Sequence, residues 1–244
     1  MTVRYDDITV TWLGYATARL EPDDGPVVYT DPGRYGVLDD YWARDGDLIV
    51  ITHDHHYDPA GIRSVATDTA TIVIYDAVDP ADIDRDVESI DSLATDYAVV
   101  RVDDTARVDI DTPAGTVTVW SIPAHNDPDG PNADADGSVT HPPGLGCGYL
   151  LGIDEHTVFW PGDSDALDGF AELDVSIFLA NIGGGGIVSD RHEAAELAES
   201  MEPDLVVPIH YDTFDQLAAD DEAFAGDVAA RSIPVALDAR SANQ

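Results

Sequence analysis

Thr52-His53-Asp54-His55-His56-Tyr57-Asp58 follows the apolar run Leu48-Ile49-Val50-Ile51 without a linker. Three of the chain's eight histidines and two carboxylates therefore stand at the end of a stretch that reads as a core strand. Imidazoles and carboxylates gathered at one strand end are how metal sites are built. In extended backbone, residues two apart share a side. His53 and His55 then face one ion, His56 points the other way, and Asp58 reaches in after the chain turns. Two plainer roles compete: the stretch as a polar surface loop, and Asp58 as the N-cap of a short helix from Pro59 to Val65, whose first turn accepts proline.

Working outward, Ile8 to Leu13 alternates as a half-buried strand does, and Ala16 to Glu21 and Pro26 to Thr30 continue an antiparallel opening. Beyond the histidines, Thr71 to Tyr75 is a strand, and the acidic stretch Asp76 to Asp96 holds at most one short helix. Ala98 to Val102, Arg107 to Asp111 and Val117 to Ile122 read as a meander ending at Pro123-Ala124-His125-Asn126. The Pro-, Gly- and Asp-rich segment Asp127 to Gly144 is a long loop, of the kind that covers a site. Gly146 to Ile153 and Thr157 to Trp160 form a hairpin ending at Pro161-Gly162-Asp163-Ser164. Val175 to Leu179 runs into Gly183 to Gly186, which lacks the Gly-Lys-Ser/Thr ending of a phosphate loop. A helix with a capping box, Asp190 and Glu193, extends to about Met201. Leu205 to Ile209 delivers His210, and Asp212 to Ala230 reads as mostly helical. No linker interrupts this pattern, so a single domain over residues 1–244 is expected.

Acidic residues number 49 against 11 basic ones, every one arginine, for a formal net charge of −38. The acids are spread through a sequence that keeps its Leu, Ile and Val runs, so disorder is not indicated. Self-repulsion on this scale is tolerable where the screening length falls to roughly 3 Å, at molar salt. The expectation is a salt-rich cytoplasm such as that of a halophilic archaeon. No apolar run is long enough to span a bilayer, and Met1 to Asp7 has no leader pattern, so a soluble, unexported protein is expected. A surface this acidic repels nucleic acid and anionic membranes, and no basic stripe offsets it. The partner expected is a small-molecule substrate, with monomer and homo-oligomer both open. Cys147 is the one cysteine, which excludes a thiolate-rich zinc site.

One design recurs: an apolar strand ends in a turn and presents His53 and His55, then His125, then Asp163, then His210. With Thr11-Trp12-Leu13-Gly14, Tyr29-Thr30-Asp31-Pro32, Asn181-Ile182-Gly183-Gly184 and Val207-Pro208-Ile209-His210-Tyr211, the chain resembles the metallo-β-lactamase superfamily. Within it, the resemblance is to the branch of the L-ascorbate-6-phosphate lactonases and related metal-dependent hydrolases. It implies an α+β fold, a four-layer αβ/βα sandwich with metals between the sheet edges. It also implies that His53, His55 and His125 hold a first metal, that Asp163 bridges to a second, and that His210 ligates the second. The family's His-x-His-x-Asp-His pattern is broken at Tyr57 and Asp58. Either Asp58 is the usual aspartate after a one-residue insertion, or it takes the last histidine's slot. Both keep Asp58 near the second metal, and only an inward-swung His56 would restore an imidazole there.

The chemistry implied is metal-assisted hydrolysis, in which a bound water is acidified from about 15.7 towards neutrality. Asp58 would orient that water or take its proton, and Asp163 would hold the metals together. Zn2+, one or two ions, is the cofactor expected, with Mn2+ or Fe2+ if the second site is carboxylate-rich. His141 reads as a solvated loop histidine, its alternative being a proton donor or substrate contact. A small ester or lactone is the substrate expected. The alternatives are a phosphodiester, for which Arg34, Arg63 and Arg191 are the candidate cations, and a non-catalytic metal-binding relative.

Overall fold

Along Ile8-Thr9-Val10-Thr11-Trp12-Leu13, every second side chain is buried, as a strand with one face on a core requires. A computed structural model describes residues 2–238. The first sheet takes its strands in chain order: β1 (Val3–Tyr5), β2 (Ile8–Gly14), β3 (Thr17–Pro22), β4 (Val28–Thr30), β5 (Gly46–Ile51), β6 (Ala66–Tyr75) and β7 (Ala98–Val102). Strands β1 to β4 pair antiparallel, and β4 to β7 pair parallel. Parallel neighbours need crossovers. Between β5 and β6 the crossover is the histidine turn with α1 (Pro59–Val65), and between β6 and β7 it is the acidic stretch with α2 (Ile90–Leu93).

The second sheet mirrors this plan. Strands β8 (Arg107–Thr112), β9 (Gly115–Ala124), β10 (Gly146–Ile153) and β11 (His156–Trp160) pair antiparallel. Then β12 (Ile177–Asn181) and β13 (Leu205–Ile209) join parallel to β11. Between them runs α3 (Arg191–Met201), opened by the expected capping box of Asp190 and Glu193. It buries Ala194, Ala195, Leu197, Ala198 and Met201 and packs on β12 and on α4 (Asp221–Ala230). Strand β8 touches β5 and β6 across the sandwich, and the apolar core lies between the sheets. Among the described residues, no helix is long and apolar enough to cross a membrane.

Two expectations are corrected. The meander does not form, because β7 is the parallel edge of the first sheet while β8 opens the second. Alternation fixes which face of a strand is buried, not which strand it pairs with. The segment from Asp212 is helical only in the short turn Asp215–Leu217 and then from Asp221. Asp220 caps α4 by accepting from the Ala223 amide, so the helix starts there.

Candidate metal centre

Both sheets carry their parallel strands side by side, and the residues at the carboxyl ends of those strands meet, as open α/β sheets favour. Asp31 follows β4, the histidine turn follows β5, Asp163 follows β11 and His210 follows β13. The His210 amide donates to the Tyr15 carbonyl at 3.1 Å, tying the second sheet's rim to the first.

The histidine turn is not extended. His53 has φ −161 and ψ 176, and Asp54–His56 then closes a 3-10 turn. At three residues per turn, positions i and i+3 share a face, so His56 stands with His53. Their ring centroids are 4.2 Å apart. The expected opposition of His56 to its neighbours is thereby overturned.

Asp163 is the centre of the cluster. Its Oδ1 lies 3.4 Å from His56 Nε2 and 3.2 Å from His210 Nε2, while its Oδ2 lies 3.4 Å from His141 Nε2 and 3.7 Å from His53 Nε2. His55 Nδ1 and His141 Nε2 stand 3.1 Å apart. Two sets of ligand atoms lie within 4.8 Å of one another: His53, His55 and His141, and His53, His56 and Asp163.

Hydrogen bonds behind the rings set their tautomers. The Thr52 hydroxyl donates its one proton to Asp31 Oδ2 at 2.9 Å. His53 Nδ1 at 2.9 Å and His56 Nδ1 at 3.1 Å must then donate to that hydroxyl oxygen. His56 Nδ1 also lies 3.0 Å from Asp31 Oδ2. Asp31 is fixed in turn by the Thr52 amide at 2.8 Å and by Trp160 Nε1 at 2.7 Å. His141 Nδ1 faces the Ile187 carbonyl at 3.1 Å and Asn126 Oδ1 at 3.3 Å. In each case Nδ1 holds the proton and the Nε2 lone pair faces the cluster, the arrangement that outer carboxylates and carbonyls impose on metal-ligating imidazoles. Gly146 permits the approach of β10, because a Cβ there would meet His53 Cβ at 2.8 Å.

Electrostatics favour the neutral form at His53, His141 and His210 but not at His56. Burial pushes His53 and His210 well below the ordinary histidine value. Burial, with the neighbouring His55 and His56, lowers His141 to about 3. For His56, burial also disfavours charge, but the fields of Asp163 and Asp31 outweigh it and the shift is upward. Burial raises the Asp163 carboxyl to about 7. His53 Nε2, His56 Nε2, His210 Nε2 and Asp163 Oδ1 are buried with no hydrogen-bond partner. Each orphaned group costs about 1–3 kcal/mol, so this is not a hydrogen-bonded structural network. Imidazole nitrogens arranged about a two-sided carboxylate are a donor set for divalent transition-metal ions, and the residues fit that use.

Of the residues the sequence nominated, the structure brings together His53, His55, Asp163 and His210, and leaves two outside. Asp58 is the helix cap: its Oδ1 accepts from the Ala60 and Gly61 amides and its Oδ2 from the Arg34 amide. Both its oxygens are thereby engaged by backbone amides, and the imidazoles that face Asp163 Oδ1 are those of His56 and His210. His125 is half-buried, and its backbone is pinned to Ser164 Oγ and the Asp165 amide at the end of β9. Its ring is in neither ligand set; His210 is in neither as well, but its Nε2 lies 3.2 Å from Asp163 Oδ1. The loop beyond it folds back so that the His141 amide donates to Asn126 Oδ1 at 3.0 Å, and His141 occupies the place expected for His125. Sequence reasoning missed Asp31 as a brace, although it ends a strand as the ligands do. It also placed His56 on the wrong side.

These features define a class: a two-sheet sandwich with a histidine–aspartate metal centre at the rim where the sheets meet. A family model described as the beta-lactamase superfamily domain matches residues 9–210, and the chain belongs to that family. A UPF0173 metal-dependent hydrolase of Pyrococcus furiosus is 27% identical over 228 residues, covering 89% of this chain and 90% of that protein. Among solved structures, a metallo hydrolase of Ignicoccus hospitalis superposes with a TM-score of 0.69 at 19% identity, covering 94% of each chain. The metallo-beta-lactamase fold protein YhfI of Bacillus subtilis does so at 0.64 and 16% identity, covering 97% of this chain and 98% of that one. At those identities the likeness shows the fold, which is the metallo-β-lactamase sandwich.

Proposed function

We propose that the chain is a metal-dependent hydrolase acting on a small ester or lactone. The observation that carries this reading is Asp163, whose two carboxylate oxygens face separate sets of imidazoles with no other partner for Oδ1. His53, His55 and His141 would hold one ion and His56 and His210 a second, with Asp163 between them. Zn2+ suits so imidazole-rich a donor set, with Fe2+ next and Mn2+ favoured only if Asp58 joins the site. A divalent ion bound there acidifies a water and polarises a substrate oxygen. The chain's own part is to keep His53, His141 and His210 neutral by burial, to fix the Nε2 atoms of His53, His56 and His141 inward through Asp31, Thr52 and Ile187, and to hold a carboxylate between the two sets. The relatives named metal-dependent hydrolases support the reaction class, and the resemblance to lactonases supports the substrate.

The test is elemental analysis of protein purified in molar salt without a chelating column, followed by a screen of esters and lactones. Two ions per chain and measurable turnover are expected, with both lost in Asp163→Ala. An Asp163→Ala protein with full metal content and full activity would end this reading.

A further inference from the structure

Acids outnumber arginines by 49 to 11, so an arginine in this protein has little difficulty finding a carboxylate. Among the described residues, seven pair with one at 2.5–3.1 Å. The other three do not: Arg44 lies over the Trp42 ring, and Arg34 and Arg85 stand beside the histidine cluster. Arg34 touches the neighbouring Tyr35, its Nη2 3.3 Å from the hydroxyl, and its Nε is buried without a partner. Arg85 spends one nitrogen, Nη2, on the Tyr57 and Asp54 carbonyls at 2.6 and 3.4 Å.

These two guanidiniums are together. Both line a cleft of about 260 Å3 with Asp54 and His55, a member of the metal-ligand set. The charges of both reach His55. The two like charges repel each other, and the nearby Asp54 offsets that repulsion only in part. Asp82 and Asp84 also line the cleft, but neither pairs with either arginine. Arg34 and Tyr35 are held at φ 65 and 48, left-handed backbone that side chains adopt only under constraint and that gathers at ligand sites. Tyr35 then turns its ring onto Tyr15 and Phe214, with centroids 4.9 and 5.1 Å away. Tyr15 in turn packs on His56 and His210. The cluster is thus bordered by an aromatic wall of Tyr15, Tyr35 and Phe214, and by two guanidiniums that pair with no carboxylate, Arg34 lying over the Tyr35 ring.

We propose that Arg34 and Arg85 form an anion subsite beside His55, so that the substrate carries a phosphate or carboxylate gripped by both guanidiniums. The scissile bond then lies over the histidine–aspartate cluster, and for that bond alone the proposal rests on the hydrolase reading. Planar guanidinium forks suit either oxyanion.

The test uses metal-loaded protein in molar salt and 4-nitrophenyl esters of pentanoate, glutarate and 3-phosphonopropionate, which differ in the charge at the end of the acyl chain. The wild-type protein is expected to favour one or both charged esters over pentanoate by at least tenfold in kcat/KM, and the preferred one identifies the anion. That preference should fall at least tenfold in Arg34→Gln, whose side chain holds no other element in place. Equal use of all three esters by the wild type, or an undiminished preference in Arg34→Gln, overturns the proposal. Arg85→Gln should behave likewise, and Arg85→Lys should recover part of the preference. Calorimetric binding of phenylphosphonate separates this proposal from the hydrolase reading. If no ester is turned over but Arg34→Gln binds phenylphosphonate at least tenfold more weakly, the subsite stands without that reading. If the variant binds as the wild type does, the subsite falls.

Discussion

His56 and His141 complete the two sides of one cluster by opposite means. His56 is two residues past a 3-10 turn's start at the end of β5, and its Nδ1 is held by Asp31 and Thr52, which end the neighbouring strands β4 and β5. His141 comes near the end of the loop spanning 127–144, and its position depends on Asn126 and on the Ile187 carbonyl beyond β12. Asn126 is itself fixed by Asp165 Oδ1 at 2.9 Å. One ligand is placed by local backbone geometry and the other by bonds between segments 15 to 46 residues apart. A ligand carried by a strand end can be found by reading a few residues, whereas one carried by a loop can be found only from the fold.

The sharpest break in this comparison is between His141 and His125. His141→Ala should abolish binding of one ion and reduce turnover by more than the roughly 100-fold typical of losing an outer-sphere partner. His125→Ala should keep both ions and most of the activity. Metal content and kcat/KM of the two variants decide it, and the reverse pattern would restore His125 as the ligand and remove His141.

Next in size is Asp31, the brace on the strand side. Asp31→Ala leaves the Thr52 amide, Trp160 Nε1 and His56 Nδ1 without their shared acceptor. Loss of one member of such a buried charged network costs about 3–5 kcal/mol, and metal affinity should fall by about 10–100-fold. Denaturant unfolding and metal titration measure the two effects separately. Stability within about 1 kcal/mol of wild type would mean that the rings hold their orientation without Asp31.

On the loop side the corresponding brace is Asn126. Asn126→Ala removes one acceptor behind His141 but leaves the Ile187 carbonyl, so metal affinity should fall by no more than about 10-fold, the lower end of the outer-sphere range. A loss as large as that of Asp31→Ala would show that the loop is held as rigidly as the strand end, and the contrast would disappear.

The same contrast explains what was legible in the sequence. Strands β2, β5, β7, β10 and β13, the capping box of α3 and the proline-started α1 are local patterns and could be read directly. So could the strand-end residues His53, His55, Asp163 and His210, which the structure brings into one cluster. The break between β7 and β8 could not, because both read as strands and only the tertiary packing decides which sheet each joins. His56 was misplaced because an extended period of two was assumed where the backbone tightens to a period of three. His141 follows no strand, and its nearest neighbours in sequence, Thr140 and Pro142, carry no sign of a site. Arg85, in an acidic stretch of no evident chemistry, was invisible for the same reason.

Asp58 gives the smallest effect and the cleanest limit on the comparison. It lies two residues from His56, yet its carboxylate accepts three backbone amides. Asp58→Ala should therefore cost about 1 kcal/mol, the usual value of an N-cap. The additional amide of Arg34 could bring the loss to about 2 kcal/mol, the upper end for caps. Metal content should not change. Any effect on catalysis should come through Arg34, whose backbone Asp58 fixes, and so should be larger for the charged esters than for pentanoate. Loss of an ion from Asp58→Ala would instead return this residue to the metal centre and with it the carboxylate-rich second site. Proximity in sequence would then have outweighed the turn that separates the cap from the ligands.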